Sequence, residues 1–222
     1  MAGIQDFTEW HDDFLGTVAA LPTSASAGTP WLIADTSAAG SPTYTTGTST
    51  AKLKFSSTNE VQNLCLHFGD SLDFDIDDII NIQMRVKMGQ AAVNAATSLA
   101  FGLASARNDA INSLTASALF RVIGGTSTTA LVIKTKTATQ DNDNIATGKS
   151  LVNAYQKFVI DFSGGKSDVK FYVNGDRVAA STKFDMSGYA LGLQPFVQLQ
   201  KTAATAEDEV IVDYVRVVAR RS

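Results

Sequence analysis

The side chains in this sequence that are best suited to catalysis or metal binding are a cysteine and a histidine two residues apart. Cys65 and His67 fall in "VQNLCLHF", whose composition predicts a β-strand, so both would face one side of it while Leu64, Leu66 and Phe68 face the other. Two ligands do not complete a zinc site, and His11 lies far away in the sequence. No third group orients the pair as a nucleophile. We interpret it as a packed thiol beside a hydrogen-bonded imidazole.

Two acidic stretches could bind a cation. "GDSLDFDIDD" supplies aspartates at positions 70, 73, 75, 77 and 78 and includes the Asp-x-Asp-x-Asp spacing of a calcium loop. However, Asp78 stands where such a loop needs glycine, and Met84 stands where it needs glutamate. We interpret this stretch and "DNDN" at residues 141–144 as solvated acidic turns, with weak calcium binding as the alternative. The sequence therefore predicts no catalytic, cofactor or metal site.

Other candidate residues have simpler structural interpretations. The paired glycines of "VIGGTS" and "SGGKS" do not match a phosphate-binding loop and fit hairpin turns. Four large aromatic residues could stack against sugars, although aromatics in a sandwich more often belong to the core. These four are Trp31, Tyr172, Tyr189 and Tyr214.

The composition excludes several classes of function. The 222 residues carry a net charge of −4, which gives no electrostatic basis for binding nucleic acid. The single cysteine allows no internal disulfide. The acidic start of the chain does not resemble a signal peptide, and no apolar run reaches membrane-spanning length. We expect a protein made in a reducing cytoplasm, with no membrane partner.

Strand and turn patterns extend along most of the chain. In "DVKFYVNGDRVAAS", alternating residues lead into Asn174-Gly175, which suits a tight hairpin turn, and a second strand follows. About a dozen such short runs, separated by turn residues, predict a two-sheet antiparallel sandwich. Helix propensity favours a helix in the alanine-rich residues 89–114. The surrounding strands favour a strand at 98–105 and a helical turn near 109–114 instead.

The N-terminal residues 1–30 are predicted to form an arm and linker ahead of a sandwich domain at residues 31–222. Phe7, Trp10 and Phe14 could share one side of a short helix, with Leu15 beside them. Because "LPTSASAGTP" would hold this arm loosely, we predict that its four apolar residues contact a partner. The alternative is that the arm folds back over its own sandwich.

The C-terminal half resembles the concanavalin A-like lectin and glucanase jelly roll. The matching segments are "YQKFVIDFSGG", "VKFYVNGDRVA" and "VIVDYVRVVA", which span about residues 154–219. The resemblance implies an all-β, two-sheet antiparallel jelly-roll sandwich, and its matching residues are core and turn positions. Laminarinase-like members carry a catalytic Glu-x-Asp-x-x-Glu pattern on one strand. The glutamates here are Glu9, Glu60, Glu207 and Glu209, and none fits that pattern.

Three functions follow as alternatives. The first is a non-enzymatic structural protein of a virus particle, resembling tailed-phage capsid decoration (cement) proteins and located on the capsid surface of the virion. Its partners would be the major capsid protein or other virion subunits, with assembly as a homo-oligomer (dimer or trimer). The second is a carbohydrate-binding, lectin-like module, and the third is a degenerate glycoside hydrolase. The first is favoured, because non-catalytic jelly rolls recur in that role.

Overall fold

The chain folds into a sandwich of two antiparallel β-sheets. The computed structural model describes residues 6–15, 21–24, 29–47, 49–70 and 73–221. The strands in these residues are β1 Phe7–Asp12, β2 Leu32–Asp35, β3 Thr43–Gly47, β4 Thr50–Lys54, β5 Glu60–His67, β6 Phe74–Asp75, β7 Ile79–Met88, β8 Thr97–Ala104, β9 Ser117–Ile123, β10 Ala130–Lys136, β11 Asp141–Ser150, β12 Gln156–Asp161, β13 Lys170–Val173, β14 Asp176–Val178, β15 Gly192–Ala204 and β16 Glu209–Arg220.

The described strands divide equally between the two sheets. The first sheet has the order β14-β13-β12-β7-β16-β4-β3, and β1 also pairs with β16. The second has the order β11-β10-β9-β8-β15-β5-β2, and β6 also pairs with β15. No helix in the described residues is long and apolar enough to cross a membrane.

Alternating side chains from both sheets meet between them and form the main core. Val173, Val212 and Val215 are at most 1% exposed, and a bulge between Val212 and Tyr214 brings both valines of β16 to the inward side of the strand. The hairpin at residues 168–181 forms as the sequence predicts: β13 and β14 pair across Asn174 and Gly175, whose φ angles are 52° and 92°. Positive φ at both central residues is the geometry that an Asn-Gly turn permits.

The prediction of a short helix near the N-terminus is wrong. Residues 7–12 form strand β1, which runs antiparallel to the end of β16 and pairs Phe7 with Arg220 and Asp12 with Val215. Phe7 and Trp10 have helical spacing, but exposure alternates along residues 7–12 as it does in a strand. The part of β16 that is not paired with β4 supplies a partner for their backbone. Residues 6–15 are therefore part of the sandwich, and the linker residues 25–28 lie outside the described residues.

The apolar residues of this N-terminal segment have two different environments. Trp10 packs edge-on against Phe68 and Trp31, with ring centroids 4.8 and 5.6 Å away, and Phe14 is only 3% exposed. Phe7 and Leu15 are 55% and 67% exposed. Of the four residues predicted to contact a partner, two thus lie in or against the protein's own core, while contact by Phe7 and Leu15 stays a prediction.

Candidate ligand-binding face

The outer face of the second sheet carries polar side chains that are unusually well buried. Strand register places Cys65, Gln198, Ala100 and Arg121 in one row across β5, β15, β8 and β9. Gln198 is fully buried and Arg121 is 4% exposed, although both point away from the main core. A polar side chain that is buried on the outside of a sheet must be covered by another part of the chain.

The cover comes from the loop between β8 and β9, here called the covering segment (residues 105–116). It contains one turn of 3₁₀ helix, Ile111–Ser113, close to the helical turn predicted from the sequence. Ile111 and Leu114 are buried and form a second apolar cluster with side chains of the sheet beneath them. Those side chains are Cys65, Ala100, Ala104, Leu119 and Phe196. The middle of the outer face is thus filled by the chain itself.

Side chains of the sheet hold the covering segment in place. The amide of Gln198 donates to the carbonyl of Asp109 at 3.0 Å, and Nζ of Lys136 donates to the carbonyl of Asn112 at 2.8 Å. These bonds satisfy backbone groups that a loop of this kind would otherwise leave to solvent. They also orient Gln198 and Lys136 toward the segment.

A network of ion pairs lies beside the covering segment. Nη1 of Arg121 is 3.0 Å from Asp143, and Nζ of Lys134 is 3.0 Å from Asp141 and 3.2 Å from Asp143. Lys134 is 1% exposed. Burial lowers the pKa of Arg121, and the charges of Asp143 and Asp141 oppose this effect. The predicted acidic turn at residues 141–144 is therefore wrong: these residues begin strand β11 and neutralise two buried cations.

A polar pocket of about 340 Å³ opens between this network and the covering segment. Polar groups on its walls come from Ser98, Asn112, Arg121, Asn144 and Gln200, and Ile111 and Ile123 add apolar surface. Nε of Arg121 and Oε1 of Gln198 are buried without a hydrogen-bond partner in the described part of the chain. Such a mixture of amide, guanidinium and aliphatic groups suits a small polar ligand.

A second cluster flanks the other side of the covering segment. The carboxylate of Asp70 accepts hydrogen bonds from the backbone N–H of Arg107 and from the side-chain amide of Gln194. The side-chain oxygen Oε1 of Gln194 accepts a hydrogen bond from the backbone N–H of Phe68 at 2.8 Å. Nδ1 of His67 accepts one from the backbone N–H of Gly69 at 3.1 Å. This cluster ties the end of β5 to β15 and to the covering segment.

Cys65 and His67 occupy the positions that the alternation predicts. Both lie on the outer face of β5, while Leu64 and Leu66 enter the main core. Burial raises the pKa of the Cys65 thiol well above its ordinary value, which keeps it protonated and unreactive. Burial also lowers the pKa of His67, Arg107 adds to this effect, and Asp70 opposes it.

We expect the buried imidazole of His67 to make stability depend on pH. Because its pKa is lower in the folded than in the unfolded protein, the unfolded chain binds the proton first. Its contribution is complete above the unfolded pKa of about 6.5 and is lost as the pH falls through the folded pKa. Urea unfolding between about pH 7 and pH 5 should therefore show a smaller loss of stability for His67→Gln than for the wild type. The exposed His11 provides a control, His11→Gln, and equal losses in all three proteins would contradict this assignment.

The central strands of the outer face carry no acidic side chain. The outward residues of these strands include Val61, Asn63, Cys65 and His67 on β5, Ser98, Ala100, Gly102 and Ala104 on β8, Ser117, Leu119, Arg121 and Ile123 on β9, and Gln194, Phe196, Gln198 and Gln200 on β15. A retaining glycosidase needs two carboxyl groups about 5 Å apart. No such pair can form among these residues.

The four glutamates lie elsewhere, and each has a structural contact. Glu9 pairs with Arg216 on the outer face of the first sheet, and Glu60 accepts hydrogen bonds from the backbone of Ala39 and Gly40. The remaining two form surface ion pairs, Glu207 with Lys54 and Glu209 with Lys52. In the described residues, no three His, Cys, Asp or Glu side chains come together as a candidate metal site.

The aromatic residues considered for sugar stacking lie away from the polar pocket. Trp31 is 1% exposed in the main core, and the hydroxyl of Tyr189 donates to the carbonyl of Gly192. Tyr172 and Tyr214 are half-buried on the outer face of the first sheet. The residues that do form the pocket were not predicted from the sequence. The alternating glutamines of "LQPFVQLQ" were the available signal, since polar residues at every second position mark a solvent- or ligand-facing side.

Comparison with solved structures gives the same architecture. The carbohydrate recognition domain of Emp47p matches with a TM-score of 0.62 at 10% identity, covering 95% of this chain and 94% of that one. A laminarinase from a Flavobacterium species matches with a TM-score of 0.64 at 12% identity, covering 94% and 98%. The fold is that of the concanavalin A-like jelly rolls.

Two further comparisons define how far this likeness extends. A protein of unknown function from Shewanella oneidensis shares the jelly roll with a TM-score of 0.56 at 12% identity, covering 98% of this chain and 88% of that one. No family model and no curated protein matches the chain. At these identities, the likeness concerns the jelly-roll fold and leaves function to be argued from the residues.

Proposed function

We propose that this jelly roll is a non-enzymatic structural protein of a virus particle, a decoration (cement) protein that binds the capsid shell. The observation that carries the non-enzymatic part is the outer face of the second sheet. Its central strands present amide, small and apolar side chains, and Ile111 and Leu114 of the covering segment fill its centre. The central strands thus present no acid pair, and Asp141 and Asp143 at the edge of the face are held by Lys134 and Arg121. The covering segment occupies the place where an open cleft would accept a polymer.

Two features support the capsid location: this fold serves in capsids, and the sandwich is stabilised by packing without a disulfide. Jelly rolls serve as capsid domains without catalysis. The N-terminal strand β1 is paired into the first sheet, and the chain needs no disulfide, since Cys65 is buried and unpaired. A particle protein made in a reducing cytoplasm must obtain its stability from packing of this kind.

The test of this function is association with particles. An antibody raised against the purified protein should label virus particles purified by density gradient from the host that produces them, and the protein should co-sediment with intact particles. Absence of the protein from particles while it is present in the lysate would overturn the proposal.

Enzyme activity gives a separate test. We expect no release of reducing sugar from laminarin or mixed-linkage β-glucan by the purified protein, because the central strands of the outer face present no carboxylate pair. Release that a single Asp→Asn or Glu→Gln substitution abolishes would instead identify an unrecognised hydrolase.

A carbohydrate-binding role is the second candidate, and the polar pocket favours it. Asn112, Asn144 and Gln200 offer paired donors and acceptors, and Arg121 adds a cation already neutralised by Asp143. This combination suits the hydroxyl groups of an uncharged sugar. On an array of neutral glycans, any binding should be lost in Gln200→Ala and retained in Lys183→Ala, whose side chain is exposed and distant in the fold. Binding that Gln200→Ala leaves intact would exclude this pocket.

A further inference from the structure

The two ends of strand β7 carry opposite charge. At its C-terminal end, Arg85 and Lys87 lie over the ring of Tyr155, with 4.6 and 4.9 Å between the cationic groups and the ring centroid. Lys157 lies opposite Arg85 on β12 and is exposed. Arg85 is paired with Asp213, whereas Lys87 and Lys157 have no ion pair with any described residue. This surface is called the basic end.

Carboxylates gather where β7 begins, about 26 Å from Lys87 for eight residues of extended chain. Asp73 and Asp75 are exposed and form no ion pair within the described residues. Leu191, whose carbonyl lies beside the N–H of Ile76, is 68% exposed and places an apolar side chain next to them. This surface, with Asp73, Asp75 and Leu191, is called the acidic end.

We propose that the protein binds a second copy of itself head to tail, with the basic end of one copy seated on the acidic end of the next. Each end supplies what the other lacks: unpaired ammonium groups meet unpaired carboxylates, and the partly exposed ring of Tyr155 can cover Leu191. Tyrosine and arginine are also residue types that anchor protein interfaces.

The geometry favours this occupant over nucleic acid or a small ligand. The basic end belongs to the outer face of a sheet, and Arg85, Lys87 and Lys157 line none of the three pockets at the covering segment, at β2 and at residues 167–183. Its cations are interspersed with Asp213 and Glu209, and the whole chain is negative, which opposes a polyanion. Because the two ends are different surfaces, the contact is heterologous and leads to a ring or a row.

The experiment is sedimentation velocity over a range of protein concentrations at low and high salt. The wild type should show a mass that rises with concentration in about 20 mM salt, and the association should weaken in about 500 mM salt. Two double variants separate the ends: Lys87→Glu/Lys157→Glu reverses the basic end, and Asp73→Lys/Asp75→Lys reverses the acidic end. Each alone should self-associate at least about tenfold more weakly, because like charges then meet at every contact.

Mixing the two variants should restore assembly, since every intact or reversed end then finds its complement. Lys183→Glu, on a side chain that is 67% exposed and belongs to neither end, is the control for charge alone and should associate like the wild type. A wild type that remains monomeric at low salt overturns the proposal, and so does association that the charge reversals do not change. Should a reversal variant unfold thermally at a lower temperature, the salt dependence of the wild type and Lys157→Gln give the same test.

Discussion

A protein shortened to begin at Thr29 should lose its cooperative unfolding transition or unfold tens of degrees earlier than the full chain. The shortening removes β1 and with it Trp10 and Phe14, which pack against Trp31. Nε1 of Trp31 also loses the carboxylate of Asp12, to which it donates at 2.9 Å. Removing one buried aromatic side chain typically costs about 3–5 kcal/mol. Two such losses approach the whole stability of an ordinary domain, about 5–15 kcal/mol.

Single substitutions test the contribution of the same contacts to stability without removing a strand. Trp10→Ala should lower the free energy of unfolding by about 3 kcal/mol, measured by urea denaturation. Phe7→Ala on the same strand, with its ring 55% exposed, should change it by less than about 0.5 kcal/mol. An unchanged unfolding midpoint for the shortened protein would restore the interpretation of residues 1–30 as a detachable arm.

Replacing Lys201 by methionine should produce the second large loss. This lysine is fully buried, and its ammonium group donates to three backbone carbonyls, those of Ser56 at 2.7 Å, Thr58 at 2.9 Å and Ala206 at 3.1 Å. The side chain also lies over the ring of Phe55. One cation thus holds together the turn after β4 and the turn between β15 and β16.

Methionine keeps most of the volume of Lys201 and removes the three donated bonds. A buried polar group left unsatisfied costs about 1–3 kcal/mol, so the free energy of unfolding should fall by at least about 3 kcal/mol. For a chain of this size that corresponds to a drop in Tm of roughly 10 °C. Lys183→Met, on a side chain that is 67% exposed, is the matched control and should be nearly neutral. A loss below about 1 kcal/mol for Lys201→Met would mean that water replaces the ammonium group.

The parts of the fold that the sequence predicted are those set by neighbouring residues. The Asn174-Gly175 hairpin and the buried faces of β12 and β13 follow from two-residue alternation and turn chemistry. The N-terminal segment was mispredicted because Phe7, Trp10 and Phe14 have helical spacing. Its true conformation depends on β16, about 200 residues further along the chain: Arg216 and the Glu9 that it binds are separated by 207 positions.

The candidate site was harder to predict than the fold for the same reason. Nothing local indicates that Ile111 and Leu114 cover the outer face of their own sheet, since both lie in a polar loop. From the sequence alone, the aspartates of residues 141–144 indicate a solvated turn. Only the fold shows that Arg121 and Lys134 lie beside them. Lys201 gave a usable signal: alternation through β15 places it on the inward side with Val197 and Leu199, where a lysine needs a specific partner.

The position of β16 has a consequence for synthesis. It pairs with β7 on one side and with β4 and β1 on the other, so among the described strands it alone joins the two halves of the first sheet. While residues 209–220 are still inside the ribosome, the nascent chain holds two sheet fragments with open edges. The first sheet can then be completed only after these residues have emerged, and through contacts of long sequence separation, which are slow to form. During that interval the open strand edges make the unfinished chain prone to aggregation, and a stop codon before residue 209 would make this state permanent.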